Sequence, residues 1–422
     1  MTSTYEALRE HVFALDVVDT HEHLPPFERD RPTNTDVLAE YLTHYFSSDL
    51  VSAGLSDEGI AFARDATKPL MKRWEAVERY WEAARNTGYG RALDIAAREL
   101  YGVERITGDT LAALNEAFLA ARDAGGHYDT VLKRKSRIRV SIEDWQSSCV
   151  HRSGEDVDPR YFRPVFRCDA FIAPESQPVL DELSARMDTS IKTLEDLKRA
   201  CEVHVERNLS RGAVGVKCGL AYRRTLRFER VSAARASEDL DRLFKGSEAS
   251  SLTALQDHMM HFVCALADER SLPFQIHTGL QEGNGNYIAN SEPSLLTHLF
   301  LAHPDVRFDL FHIGYPYQQT MSALAKNFRN VFIDFAWAHI ISPEASVRAL
   351  VEYLDAVPAN KLLGFGGDFA FIDGVAGHAH IARENVAKAL AIKVDEGTFD
   401  LRRAKELARM ILHDNAATVF RL

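Results

Sequence analysis

The chain has 422 residues, 46% of them hydrophobic and 26% charged, with a formal net charge of −11. That length exceeds a small domain and suits one large barrel carrying insertions. The acidic balance argues against general nucleic-acid binding, which takes a basic face.

Short apolar runs alternate with amphipathic stretches, the pattern of a parallel sheet with crossover helices. The first predicted strand, 15–19 (LDVVD), runs directly into Thr20-His21-Glu22-His23. Residues 33–126 then read as several helices, among them 71–85 and 110–121. A connection of that size needs structure of its own, and its position makes it a candidate lid over the first strand's end. Trp74, Tyr80 and Trp81 in this region read as a helix-packing stripe.

Further strands are predicted at 137–142, 165–167, 213–217, 274–277, 308–312, 331–334 and 362–368. Amphipathic helices such as 191–211 and 252–269 lie between them, with a smaller helical insertion at 228–247. Eight strands alternating with helices predict an α/β fold, a (β/α)8 TIM barrel with a large helical insertion after the first strand. Residues 1–32 and 127–422 would form the barrel, and 33–126 the insertion.

Chemistry in such a barrel sits where the strands end. Residues i and i+2 of a strand share a side, so His21 and His23 face together. Two neutral imidazoles there suit a divalent metal, although two surface histidines in a turn would be spelled the same way. His277, His312 and Asp368 also close predicted strands (FQIH, FDLFH and LLGFGGD). Singly, each reads as a core histidine or a turn aspartate. Together they place ionisable groups on several strand ends at once, which points to one site. Gly366 and Gly367 before Asp368 permit a close backbone approach.

With these residues the chain resembles the amidohydrolase superfamily, and more closely the amidohydrolase half of FluG-type proteins. The matching segments are VGVKCGLAYRRTL, FQIHTGLQEGNGNYIANSEPSLL, FHIGYPYQQTMSALAKNFRNVFIDFAWA and KLLGFGGDF. More weakly, RYWEAARNTGYGRALDIAARELYG in the insertion is similar to its counterpart in uronate isomerases. The resemblance implies that His21, His23, His277 and Asp368 hold a divalent metal, zinc first and manganese second. It implies that His312 orients water or polarises a substrate oxygen. Asp368 would also take the water's proton and pass it to a leaving nitrogen. One departure is that GGD stands where many relatives carry Ser or Thr before the Asp.

Lys217 closes the fourth predicted strand (AVGVK), where binuclear superfamily members carry a carboxylated lysine bridging two ions. The other readings are an ammonium that takes a substrate carboxylate, a countercharge for an acidic neighbour, and a lysine facing solvent. Tyr222, Arg223 and Arg224 follow on the loop above. A guanidinium takes a carboxylate through paired hydrogen bonds, so one arginine reads as a substrate anchor and the other as surface charge. The run 281–290 after His277 faces either the substrate or solvent.

Five cysteines, Cys149, Cys168, Cys201, Cys218 and Cys264, are widely spaced without a CxxC pair. This argues against a disulfide framework and fits a reducing compartment. No basic segment leads into an apolar run at the N-terminus, and no run approaches the roughly 18 apolar residues of a membrane span. The expectation is a cytoplasmic enzyme acting on a small molecule, with no nucleic acid and no membrane as partner; a homo-oligomer is compatible with the composition.

The expected activity is metal-dependent hydrolysis of a C–N (amide) bond in a small carboxylate-bearing substrate. Non-oxidative decarboxylation and uronate-type isomerisation use the same barrel, and a non-catalytic scaffold is the alternative outside enzymes. A shared fold does not separate these chemistries.

Overall fold

The structure is a computed structural model and describes residues 3–144 and 157–422; Cys149 lies outside them. Eight strands follow one another in chain order around a single sheet: β1 Val17–Glu22, β2 Ile138–Glu143, β3 Phe162–Arg167, β4 Gly215–Cys218, β5 Pro273–Ile276, β6 Arg307–Leu310, β7 Val331–Asp334 and β8 Leu362–Leu363. Each pairs with the next in parallel. All eight predicted strands are present, and the fold is a (β/α)8 barrel.

Two boundaries differ in ways that matter. β1 extends to Glu22, so His21 lies inside the strand rather than after it. β8 pairs for only two residues, whereas the run through Asp368 was expected to be strand. Beyond Leu363 the chain passes too close to its neighbours for a regular ladder. A Cβ on Gly366 would meet Ala336 Cβ and Thr20 Oγ1 at 2.7 Å, and one on Gly367 would lie 1.7 Å from Glu22 Oε1. This irregular stretch nevertheless closes the barrel. Thr20 N donates to Phe365 O (3.0 Å), Asp368 N to His21 O (2.7 Å) and His23 N to Phe369 O (3.1 Å).

The insertion folds into the helices Val37–Tyr41, Phe46–Ser52, Asp57–Arg64, Leu70–Ala84, Gly88–Tyr101 and Leu111–Ala124. Their apolar faces belong to the same continuous core as the barrel. Trp74 and Trp81 are buried with ring centroids 5.1 Å apart, so the stripe is packing. Helix Gly88–Tyr101 packs tightly on the long helix Ile372–Asp395 because Gly377 lets Ala92 O approach to where a Cβ would clash at 1.9 Å. The insertion is thereby tied to the helix that follows Asp368. Among the described residues no helix is long and apolar enough to cross a membrane, and Cys168, Cys201, Cys218 and Cys264 are buried free thiols.

Candidate active site

The strand ends line a cavity of about 690 Å³, the size of a small-molecule site. On its floor the ligand atoms of His21, His23 and Asp368 all lie within 4.8 Å of one another. Asp368 Oδ1 is 3.6 Å from His21 Nε2 and 3.1 Å from His23 Nε2, and its Oδ2 is 3.8 Å from His312 Nε2. His277 belongs to a second group: its Nδ1 faces His312 Nε2 at 3.1 Å.

Backbone carbonyls decide how these rings are protonated, since a carbonyl only accepts. His23 Nδ1 lies 2.7 Å from Asp144 O, His312 Nδ1 2.7 Å from Ala336 O, and His277 Nε2 3.0 Å from Leu280 O. Each of those nitrogens therefore carries the hydrogen. In the neutral rings the lone pairs fall on His23 Nε2 and His312 Nε2, which face Asp368, and on His277 Nδ1, which faces His312. Two lone pairs 3.1 Å apart, and another 3.1 Å from a carboxylate oxygen, repel unless a proton or a metal cation lies among them; against the lowering effect of burial, Asp368 raises the His23 pKa for this reason. Carbonyls that fix the outer nitrogen of a ligating histidine are the usual support of a metal site. The residues present fit a divalent ion.

Electrostatics agree. Burial would raise the Asp368 carboxyl, but a proton shared with His23 Nε2 and positive charge among the surrounding imidazoles hold it well below the usual range, so the carboxylate is stabilised wherever a cation lies among these rings. Burial and the Lys217 charge push His21 down, and burial lowers His312 to about 4, so both rings are neutral.

Backbone conformation shows how the site is built. His312 (φ 62°), Trp337 (φ 59°) and Asp368 (φ 57°), which follow β6, β7 and β8, all adopt left-handed geometry that residues with a Cβ seldom take. Such local strain clusters at functional sites.

Lys217, on β4, lies beneath the histidines. Its Nζ is 3.4 Å from His21 Nε2 and 3.4 Å from the Phe311 ring centroid. Burial lowers its pKa to about 8. Tyr222 lies over His277 with centroids 4.7 Å apart. Its hydroxyl accepts from Glu282 N at 2.9 Å. Arg223 lines the cavity and pairs with Glu175. Arg224 turns away to Asp257 (2.7 Å) and Gln256 (2.7 Å), stacking over Phe228. Of the two neighbouring arginines, only Arg223 lines the cavity.

Several lining residues were not picked out from the sequence. Asp144, just past β2, takes both arms of Arg167 from the end of β3 (2.6 to 3.2 Å) and lies 3.8 Å from His21 Nε2. The β3 run ends in Arg167, the same strand-end signal that singled out Lys217. His44 and Tyr45 come from the insertion. The Tyr45 ring stacks on Trp337 at 4.4 Å, and its hydroxyl donates to Asp368 O. The run 281–290 divides: Glu282 lines the cavity, whereas Tyr287 is 73% exposed.

Residues 229–422 match the amidohydrolase family profile. That stretch, a little under half of the chain, is similar to the amidohydrolase family. It is also 29% identical over 151 residues to Protein fluG of Emericella nidulans, a match covering 36% of this chain and 17% of that one. It thus spans about a sixth of that relative's length. Among solved structures, the chain is similar to a uronate isomerase from Thermotoga maritima (TM-score 0.83, 16% identity, 100% of this chain and 98% of that one). It is similar to a glucuronate isomerase from Caulobacter crescentus (TM-score 0.81, 17%, 99% and 94%). A Lactobacillus casei protein, whose assignment as a metal-dependent hydrolase is itself provisional, also shares the fold (TM-score 0.69, 18%, 98% and 97%). At these identities the structural likeness is one of fold.

Proposed function

We propose that the protein is a metal-dependent hydrolase that cleaves a C–N (amide) bond in a small carboxylate-bearing substrate. His21, His23, His277 and Asp368 hold the ion, and three imidazoles with one carboxylate suit zinc, with manganese second. One observation carries the reading: Asp368 turns Oδ1 toward the β1 histidines and Oδ2 toward His312. This supports a double role for the one carboxylate, as a ligand and as the group that handles a proton. When bound, the ion supplies a water acidified toward neutral pH as the nucleophile.

The chain's own groups do the rest. Asp368 Oδ2 takes the water's proton and returns it to the leaving nitrogen, as acid–base catalysis of amide cleavage requires. His312, its hydrogen fixed on Nδ1 by Ala336 O, keeps Nε2 turned into the site beside the substrate oxygen. Lys217 and Arg223 take the substrate carboxylate, and Tyr222 packs against the substrate next to His277. The insertion, through His44 and Tyr45, covers the mouth and excludes water.

The likeness in fold to uronate isomerases over the whole chain, insertion included, favours isomerisation of a sugar acid as the second reading. Reaction in 18O-labelled water separates the two. Hydrolysis places one solvent oxygen in the product carboxylate and releases an amine or ammonia. Isomerised product without an amine would overturn the hydrolase reading.

A further inference from the structure

Three consecutive backbone amides around Asp368 are all given to β1. Gly367 N donates to Asp19 Oδ1 (2.9 Å), Asp368 N to His21 O (2.7 Å) and Phe369 N to Glu22 Oε2 (2.8 Å). We infer that Glu22, the middle residue of His-Glu-His, is a positioning residue. With Asp19, it sets the affinity of the metal site by fixing the backbone from which Asp368 projects. The inference rests on Asp368 being a ligand.

The geometry needs such a latch. Strand pairing ends at Leu363, so no regular ladder carries the chain as far as Asp368. Asp368 itself sits at φ 57°, a conformation that persists only where its surroundings enforce it. The enforcing groups are buried carboxyls. Asp19 and Glu22 have no solvent exposure and are hydrogen-bonded to each other, and Asp19 Oδ2 is held by Ser141 Oγ at 2.7 Å. Each carboxyl oxygen that accepts an amide fixes one point of the backbone on either side of Asp368.

The two glycines belong to the same device. Gly367 must lack a Cβ because Glu22 Oε1 occupies its place, 1.7 Å from where that atom would lie. Side chains alternate along a strand. His21 and His23 therefore give imidazoles to the cavity, while Glu22 between them reaches the segment that delivers the carboxylate. The Glu of HEH and the GG of GGD are thus one matched contact, binding strand-one and strand-eight ligands into a preformed set. Loss of a group that orients a ligand typically weakens metal binding by about 10–100-fold.

The test is zinc affinity of chelator-stripped protein, measured by competition with a chromophoric chelator. The visible spectrum of the cobalt-loaded form reports ligand geometry, and melting of the stripped form reports folding. In Glu22→Gln the amide oxygen still accepts from Phe369 N and its NH2 donates to Asp19, so affinity should stay within about 3-fold of wild type. Glu22→Ala should bind zinc about 10–100-fold more weakly, with an altered cobalt spectrum. Gly367→Ala should weaken it similarly by displacing the Glu22 carboxylate. The double variant should lose less than the two losses combined, because the shortened side chain vacates the space. If Glu22→Ala does not fold, Gly367→Ala carries the test. Wild-type zinc affinity in either folded variant would overturn the positioning role, as would a Glu22→Gln as weak as Glu22→Ala. Wild-type protein that takes up no zinc would overturn the metal assignment instead.

Discussion

Replacing Lys217 with methionine should make the metal-free protein more stable while weakening substrate binding. The ammonium is 2% exposed and makes no ion pair with a carboxylate among the described residues; its close neighbours are His21 and the Phe311 ring. Its pKa falls from 10.5 to about 8, chiefly through burial. At about 1.4 kcal/mol per tenfold change, that fall sets about 3 kcal/mol against the charged form at pH 7. Methionine is unbranched, one atom shorter and uncharged, so it removes this cost, but it gives up a cation–π contact worth about 1–2 kcal/mol. The net gain is about 1–2 kcal/mol, read as a higher denaturant midpoint of chelator-stripped protein. The pH dependence carries the sign. Between pH 8 and 10.5 the folded lysine has lost its proton and the unfolded one still holds it, so wild-type stability rises with pH. The gap between variant and wild type should therefore close over that range. A variant less stable than wild type at pH 7, or a gap that stays constant to pH 10.5, would refute the reading of Lys217 as a buried cation that Asp144, Asp368 and Asp309 compensate only in part.

Substrate binding should follow the same titration: kcat/KM should fall as pH rises through about 8, and Lys217→Met should lose that limb. Arg223→Ala should raise KM, and Arg223→Lys should not restore it, because a point charge lacks paired donors. Arg224→Ala should instead leave KM unchanged and lower stability by about 3 kcal/mol, since it strands Asp257 of a nearly buried pair; a KM effect as large as that of Arg223→Ala would contradict the geometry. Asp368→Asn should keep the fold but abolish both zinc uptake and activity, and retention of either in metal analysis or turnover would count against it.

Much of this was legible in the sequence because two periodicities survive in it. Strand runs ending in an ionisable residue located Lys217, His277, His312 and Asp368, and 331–334 coincides with β7. What escaped has physical causes. Helical patterning in 33–126 says which faces are buried, not which strand end they cover, so His44 and Tyr45 could not be placed over the cavity. Adjacent arginines on one loop diverge because Asp257, distant in sequence, captures Arg224. The early end of β8 comes from contacts of Gly366 and Gly367 with β1 and β7 neighbours. Trp337 reaches the cavity only through a left-handed backbone.

Anomalous diffraction from crystals grown with zinc tests the central claim most directly. One ion per chain is expected, in contact with His21 Nε2, His23 Nε2, His277 Nδ1 and an Asp368 oxygen. An ion absent from that cluster, or two ions with Lys217 and His312 both coordinated, would contradict it.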